Sequence, residues 1–403
     1  MSFLTVPVSS LGGLCLLTAI FFLNFSARIV FSPLLPRMEE ALALSHGEAG
    51  SLFLFLSCGY FLALLGSGFV AARVSHQQTI GGSMLAISCS LLLIAAGNSL
   101  LSLQTAFFLL GLTSGVYLPS AVATISALFA SNRWGRAFAV HELAPNLAFL
   151  SAPLTASFLL GYLDWRPCIL LLALLSFCAG LIYFRFGRGR ELHGRPPDLA
   201  TWRRIALQRN FGLLVILFAM GISGTLGVFS ILPLYLVTDH HLPLPQANLL
   251  VGLSRVGTLF TTLLGGWLAD RFGNRRTMAT VLLASGACTA GIGITQGSAL
   301  LTLIFLQTSI AVCFFPAAFS VLAGLAAPAT RNVVISLAVP LAFVGGGGLL
   351  PFLIATLAET SSFRTGLLCA GLFIACGSLL IPLTKKTGAP AAETDQENVE
   401  RDA

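Results

Sequence analysis

The sequence predicts an all-α membrane protein of twelve transmembrane helices, arranged as two pseudo-symmetric six-helix bundles. Three observations carry this expectation. Of the 403 residues, 56% are hydrophobic and only 9% charged, against roughly 25% charged in a soluble domain. Apolar runs of membrane-crossing length recur along the whole chain, and basic residues gather in alternate short loops. A mean hydropathy of +0.90 leaves too little charge to coat a soluble exterior, so the bilayer is the simplest place for so much apolar surface.

A bilayer core of about 30 Å needs about 20 apolar residues per crossing. Twelve runs meet this: 10–35, 48–72, 79–98, 101–131, 137–161, 167–185, 209–238, 246–269, 277–295, 299–327, 333–358 and 364–384. Each must be helical, because lipid offers no partner to an unpaired backbone group. The first run has no basic segment ahead of it and carries Arg28 inside it, so it reads as a span rather than a cleavable signal peptide. Ser45-His46-Gly47-Glu48 has the capping-box pattern that opens a helix, here the second span.

After the sixth span the pattern breaks. Residues 186–208 are basic, polar and rich in Pro and Gly. This divides the chain into a first bundle (1–185), a cytoplasmic central loop (186–208), a second bundle (209–384) and a cytoplasmic tail (385–403). The tail is acidic and polar, a composition expected to be disordered.

Orientation follows from the basic residues. With both termini in the cytoplasm, 17 of the 22 Lys and Arg fall in cytoplasmic loops or the tail. Three, Arg37, Arg166 and Arg364, fall in outer loops, and two, Arg28 and Arg255, lie inside spans. The positive-inside rule selects this topology. The halves also repeat: GFVAAR at 68–73 matches GWLADR at 266–271, Pro119 matches Pro316 and Arg133 matches Arg331, at offsets of 197 or 198 residues. A duplicated unit places a substrate site at the interface of its copies.

Several function classes are excluded. The nine cysteines lie in apolar stretches without a CxxC pair, so neither a disulfide framework nor a zinc site is expected. Asp239, His240 and His241 form only a short outer loop. There is no G-x-x-x-x-G-K-[ST] loop for an ATP-driven pump. The net charge of +7 is a topology signal, so no nucleic acid is expected. No cofactor or metal is implied, and no nucleophile–base constellation points to an enzyme.

The loop GGWLADRFGNRR at 265–276 resembles the G-x-x-x-D-R-x-G-x-R-R signature of the major facilitator superfamily, with Gly266, Asp270, Arg271, Gly273, Arg275 and Arg276 in place. The resemblance covers essentially the whole chain. It implies a transporter working by alternating access, with this loop as a latch: Gly266 for close helix packing and Asp270 for pairing with an arginine. In the first half only Gly68 and Arg73 remain. Ala72, Ser75, His76 and Gln77 occupy the acidic, glycine and basic positions, so the latch should be weaker there.

Arg28 is the sharpest candidate for substrate binding. It lies eight residues before Pro36, about 12 Å inside the outer end of its helix. A lipid-facing arginine at that depth costs at least ~2.5–3.5 kcal/mol, so it must face protein or water. The segment is similar to helix 1 of organophosphate antiporters and anion:cation symporters, which implies an anion site; pairing with an acidic group or helix carbonyls is the alternative. Arg255 lies fifteen residues before Asp270, about 22 Å from the cytoplasmic end, and oxalate and nitrate transporters of this superfamily resemble it in a helix 8 arginine. A guanidinium fork suits carboxylate or phosphate. Asn146 resembles the cavity-lining stretch of helix 5 in organophosphate antiporters. Glu142 and His141 are the proton-coupling candidates: Glu142 is an intramembrane carboxylate, with an ion pair to a loop arginine as its alternative role, and an imidazole titrates near neutral pH.

The expected function is secondary active transport of a small organic anion or related metabolite by a monomeric, multi-pass protein of the inner (plasma) membrane, coupled to protons. The alternative is a drug/proton antiporter exporting lipophilic compounds, because AFLSAPLTAS in helix 5 looks like a softened form of that group's G-x-x-x-G-P-x-x-G-G motif. A reporter fused after Lys386 is expected to read cytoplasmic; a periplasmic signal there overturns the topology.

Overall fold

The computed structural model describes residues 8–130, 133–194, 199–323 and 331–383; the tail 385–403 lies outside them. Among the described residues there are twelve long helical rods and no strand. Helix 1 comprises Val8–Ile29 and Phe31–Leu42, helix 2 His46–Ala71, helix 3 His76–Ala96, helix 4 Leu100–Gly115 and Tyr117–Leu128. Helix 5 comprises Trp134–His141 and Leu143–Leu159, and helix 6 is Trp165–Phe186. A connector helix, Leu199–Ala206, leads to the second half. There helix 7 is Arg209–Ile222, a π-turn Ser223–Gly227 and Val228–Thr238, and helix 8 is Leu244–Ser254 and Thr258–Phe272. Helix 9 is Asn274–Ile294 and helix 10 is Gly297–Ala311 with Phe314–Ala323. Helix 11 is Arg331–Phe343, a π-turn Val344–Leu349 and Leu350–Thr360, and helix 12 is Phe363–Leu380.

Eleven of these rods are long and apolar enough to cross a membrane. Helix 5 falls short of that measure because Glu142 splits it and Asn146, Pro145 and Pro153 dilute its apolar content. The short turns are closed by side-chain caps. Ser45 accepts from the Glu48 amide while the Glu48 carboxylate accepts from the Ser45 amide, and Ser75 with Gln78 and Ser99 with Ser102 do the same for helices 3 and 4. One boundary differs from expectation. Helix 1 continues through Pro36 to Leu42, well past residue 35. Met38 and Glu39 are buried there, so tertiary packing carries the helix past a residue that removes a backbone donor.

Small residues let backbones meet inside each half. A Cβ added at Gly59 of helix 2 would overlap the Phe108 carbonyl of helix 4, and one at Gly111 would overlap the Leu56 carbonyl in return.

The halves meet mainly at the end of the molecule opposite Val8 and Leu383, where the described chain starts and stops; that end is here called the distal end and the other the termini end. The Ser32 hydroxyl donates to Phe229 O at 2.7 Å, Asn248 Nδ2 to Pro33 O at 3.2 Å and the Ser157 hydroxyl to Pro245 O at 3.2 Å. The Gly47 amide donates to Glu359 Oε2 at 3.0 Å. A Cβ added at Gly50 would sit 2.6 Å from the Ala355 Cβ. The apolar packing follows the same division. One buried cluster runs through the first half and across the distal seam to Phe229, Val251, Ile354 and Leu367. A second, containing Phe218, Phe314 and Ala338, stays at the termini end of the second half.

Gly59→Val and Gly50→Val should therefore behave differently. Gly59→Val overpacks one half and is expected to cost about 1–3 kcal/mol, read as a lower thermal midpoint in detergent. Gly50→Val should keep the midpoint but speed backbone amide exchange across residues 46–52, because it wedges the seam rather than a half. Equal behaviour of the two variants overturns the separation of seam from core.

Candidate functional site

Both intramembrane arginines sit where their helices are interrupted. Arg28 occupies the last turn before the break at Val30, and Arg255 opens the three-residue break between Ser254 and Thr258. Arg28 is 6% exposed and Arg255 4%. Among the described residues neither forms a salt bridge, and the Nε of each has no hydrogen-bond partner.

Aromatic faces supply what counter-charge there is. The Arg28 guanidinium carbon lies 4.4 Å from the Tyr60 ring centre, 4.6 Å from Phe25 and 5.9 Å from Phe343. That of Arg255 lies 4.6 Å from Phe149 and 4.7 Å from Phe229, and its Nη2 donates to Thr225 O at 2.9 Å in the helix 7 π-turn. Desolvated cation–π contacts are worth about 2 kcal/mol. Each arginine thus meets a ring from the other half, Phe343 for Arg28 and Phe149 for Arg255. Phe25 and Phe149 touch edge to face at 5.0 Å, so one aromatic layer joins the two sites.

The layer continues to the proton-coupling candidates. Phe25 meets Phe21 at 6.2 Å, and Phe21 stacks on His141 at 4.4 Å. His141 is fully buried. Tyr117 donates its hydroxyl to Leu17 O at 2.8 Å, and His141 Nε2 is 3.0 Å from the Tyr117 hydroxyl oxygen. With the phenol proton committed to the carbonyl, Nε2 carries the imidazole proton and donates to Tyr117. His141 Nδ1 has no hydrogen-bond partner and lies 3.8 Å from Glu142 Oε1. The Glu142 side chain is 60% exposed at the helix 5 break. Asn146 forms no hydrogen bond to either arginine among the described residues. It is half-buried, and its amide donates to Glu142 O at 3.0 Å within its own helix.

The latch sequence is placed at the termini end. Gly273 adopts φ +88°, which favours glycine. Arg275 Nη2 donates to Ile381 O at 2.8 Å and Pro382 O at 3.1 Å, tying the loop to the end of helix 12. Arg271 lies over Trp267 and Phe272, and Arg276 is exposed. Asp270 is exposed and makes no ion pair among the described residues, unlike the pairing expected of it. The close-packing glycine also differs. A Cβ at Gly266 meets nothing within 4 Å, whereas one at Gly265 would lie 2.7 Å from Cys313 Cα of helix 10. In the first half, Gly68 is half-buried and Arg73 exposed. There the lost charges are replaced by a strap. Gln77 Nε2 donates to Tyr183 O, Phe184 O and Gly187 O, and the amides of His76 and Gly194 bond Leu192 O and Ala71 O.

The Major Facilitator Superfamily profile matches residues 16–254 and 211–401. This chain belongs to that superfamily. It is a multi-pass membrane transporter and not an enzyme. It is similar to YybO of Bacillus subtilis (strain 168), an uncharacterized transporter, with 27% identity over 45% of this chain and 41% of that one. The match thus spans less than half of that relative. The uncharacterized MFS-type transporter YfnC of Bacillus subtilis (strain 168) is 22% identical over 72% of this chain and 70% of its own. In fold, a bacterial homolog of the human lysosomal transporter Spinster, inward-facing and occupied, superposes with a TM-score of 0.81 at 14% identity, covering 94% of this chain and 98% of that one. The nucleoside transporter NupG superposes with a TM-score of 0.73 at 14% identity, covering 94% of this chain and 100% of that one.

Asp270→Asn is expected to slow turnover several-fold while substrate affinity holds within about twofold, since a gating residue changes the rate of rocking more than the site. Collapse of binding in a folded variant overturns the gating role.

Proposed function

We propose that this transporter binds a small organic anion between Arg28 and Arg255 and couples its movement to a proton at His141 and Glu142. The observation that carries the reading is the pair of buried guanidinium groups that, among the described residues, have no carboxylate partner and an unpartnered Nε on each. A buried charge without a partner is costly, and an anion supplies both the counter-charge and the missing acceptors. Each charge-assisted hydrogen bond is worth about 1.5–3 kcal/mol. An anion that draws either guanidinium off its ring also loosens a contact between the halves, because Phe343 and Phe149 each belong to the half opposite their arginine. Asn146 is a third candidate contact once the helix 5 break moves.

The proton reading rests on the His141–Glu142 pair. Nδ1 is the free nitrogen of the imidazole, and the nearest carboxylate faces it at 3.8 Å. One proton placed there makes either an imidazolium–carboxylate pair or a neutral one, which changes the charge at the helix 5 break by one unit. With the termini in the cytoplasm, as the basic loops favour, the closed distal seam supports a reading as the cytoplasm-open state of a monomer in the inner membrane. Gly266, Asp270, Arg271, Gly273, Arg275 and Arg276, with Gly68 and Arg73, are then the latch elements of that open face.

Reconstituted vesicles test both parts. Labelled carboxylates, phosphate esters and the cationic dye ethidium are offered to the wild-type protein. Arg28→Ala and Arg255→Ala should each weaken anion binding more than tenfold, the equivalent of about 1.4 kcal/mol, with lysine replacements restoring it only in part. Glu142→Gln should abolish accumulation driven by a pH gradient yet permit exchange. Export of ethidium with indifference to anions, unaffected by either alanine, hands the site to the drug/proton alternative.

A further inference from the structure

The distal seam holds a group of titratable side chains that the anion and proton readings leave unused. Glu39, near the end of helix 1, is 9% exposed although its sequence position promised a surface loop. His46 Nδ1, in the first turn of helix 2, lies 3.0 Å from Glu39 Oε2 and 3.2 Å from Oε1. The other face of that turn meets the second half. The Gly47 amide donates to Glu359 Oε2 of helix 11, and the His46 ring packs 5.1 Å from Phe363 of helix 12. Glu359 is within electrostatic reach of both His46 and Glu39.

We propose that Glu39, His46 and Glu359 form a second proton-binding site, at the distal seam, occupied by one proton on the His46 imidazole when the seam is closed. The charge order explains the choice. An imidazolium at His46 stands between a carboxylate of the first half and one of the second. Removing its proton leaves Glu39 with a neutral neighbour and sets two like charges on opposite sides of the seam. Glu359 is exposed whereas Glu39 is buried, so the repulsion is felt at Glu39, where water is scarce; loss of this proton opens the distal end and its return closes it. The site samples the solution on the distal side, whereas His141 and Glu142 sit toward the termini end.

The remaining charges around the site are engaged elsewhere or face outward. On helix 1, Arg37 pairs with Glu40 at 3.1 Å at the surface. On helix 2, Glu48 is committed to the Ser45 amide at 2.9 Å. At the end of helix 7, His240 Nε2 lies 2.8 Å from Tyr235 Oη. Partial burial raises the Asp239 carboxyl above its ordinary range, with His240, His46 and His241 opposing, and burial lowers the His240 imidazole against the pull of Asp239. Arg364 of helix 12 shares with Asp239 and His240 a polar surface cleft of about 400 Å³.

The test is amide hydrogen exchange on the full-length protein in lipid vesicles without any cargo, so the anion reading does not enter. After correction for intrinsic rates, residues 46–50 of the wild type should exchange at least tenfold more slowly at pH 6 than at pH 8. His46→Gln should exchange fast at both, His46→Lys slowly at both, and Glu359→Gln should lose most of the pH difference. Glu40→Gln, a surface neighbour, should keep the wild-type profile. A wild-type profile flat between pH 6 and 8, or a folded His46→Gln that retains it, overturns the site. Should His46→Gln fail to fold, a His46→Lys protein with the wild-type pH difference overturns it equally.

Discussion

The constraint on which the rest of this molecule depends is the burial of two permanent positive charges in a low-dielectric interior. Guanidinium groups do not discharge by losing a proton at any ordinary pH, so Arg28 and Arg255 must be accommodated as cations. No carboxylate approaches either one among the described residues. The surroundings instead provide ring faces and, for Arg255, a helix carbonyl. Such partners stabilise a cation without cancelling its charge. They leave a positive potential at the interface, and they recruit rings from both halves to maintain it.

That accommodation needs irregular backbone, which lipid permits only where protein covers it. The interruptions are arranged as the internal repeat demands. Helix 1 breaks at Val30 and its repeat partner, helix 7, at Ser223–Gly227. Helix 4 breaks at Val116 and helix 10 at residues 312–313; helix 5 breaks at Glu142 and helix 11 at Val344–Leu349. Arg255 adds a break to helix 8. Each break frees carbonyls or tilts a segment, and Thr225 O, freed in the helix 7 π-turn, is the acceptor Arg255 uses. Duplication set where the chain bends, and the bends set where polar groups gather.

Much of this was legible in the sequence. Apolar run length and basic-loop asymmetry found the spans, because both are linear properties. Arg28, Arg255 and Glu142 stood out because a charge within an apolar run is conspicuous. The ring partners did not. Phe25 stands three residues before Arg28, a helical neighbour spacing, but the chain holds 31 phenylalanines, and nothing local separates Phe149, Phe229 and Phe343 from the lipid-facing ones. The end of helix 1 was misplaced for the same reason: Pro36 reads as a stop, and only packing against the other half shows that it is not. Gly265 and Gly266 differ solely in which faces Cys313, which one residue of helical phase decides. The Gln77 strap replaces an ionic latch with amide hydrogen bonds to carbonyls more than a hundred residues away.

The unequal division of the apolar core carries a thermodynamic consequence. The cluster that crosses the distal seam is continuous with the first half, whereas the second is built from second-half residues with Leu65 of helix 2 packed against it. Opening the distal end means parting a continuous hydrophobic contact and wetting both sides, while at the termini end, among the described residues, the first half contributes Leu65 to the second cluster. Wetting apolar surface raises heat capacity. The two directions of the transport cycle therefore differ in their temperature response. The distal opening step has an enthalpy that grows with temperature, so cooling slows the two half-cycles unequally and shifts the resting distribution between the two facing states.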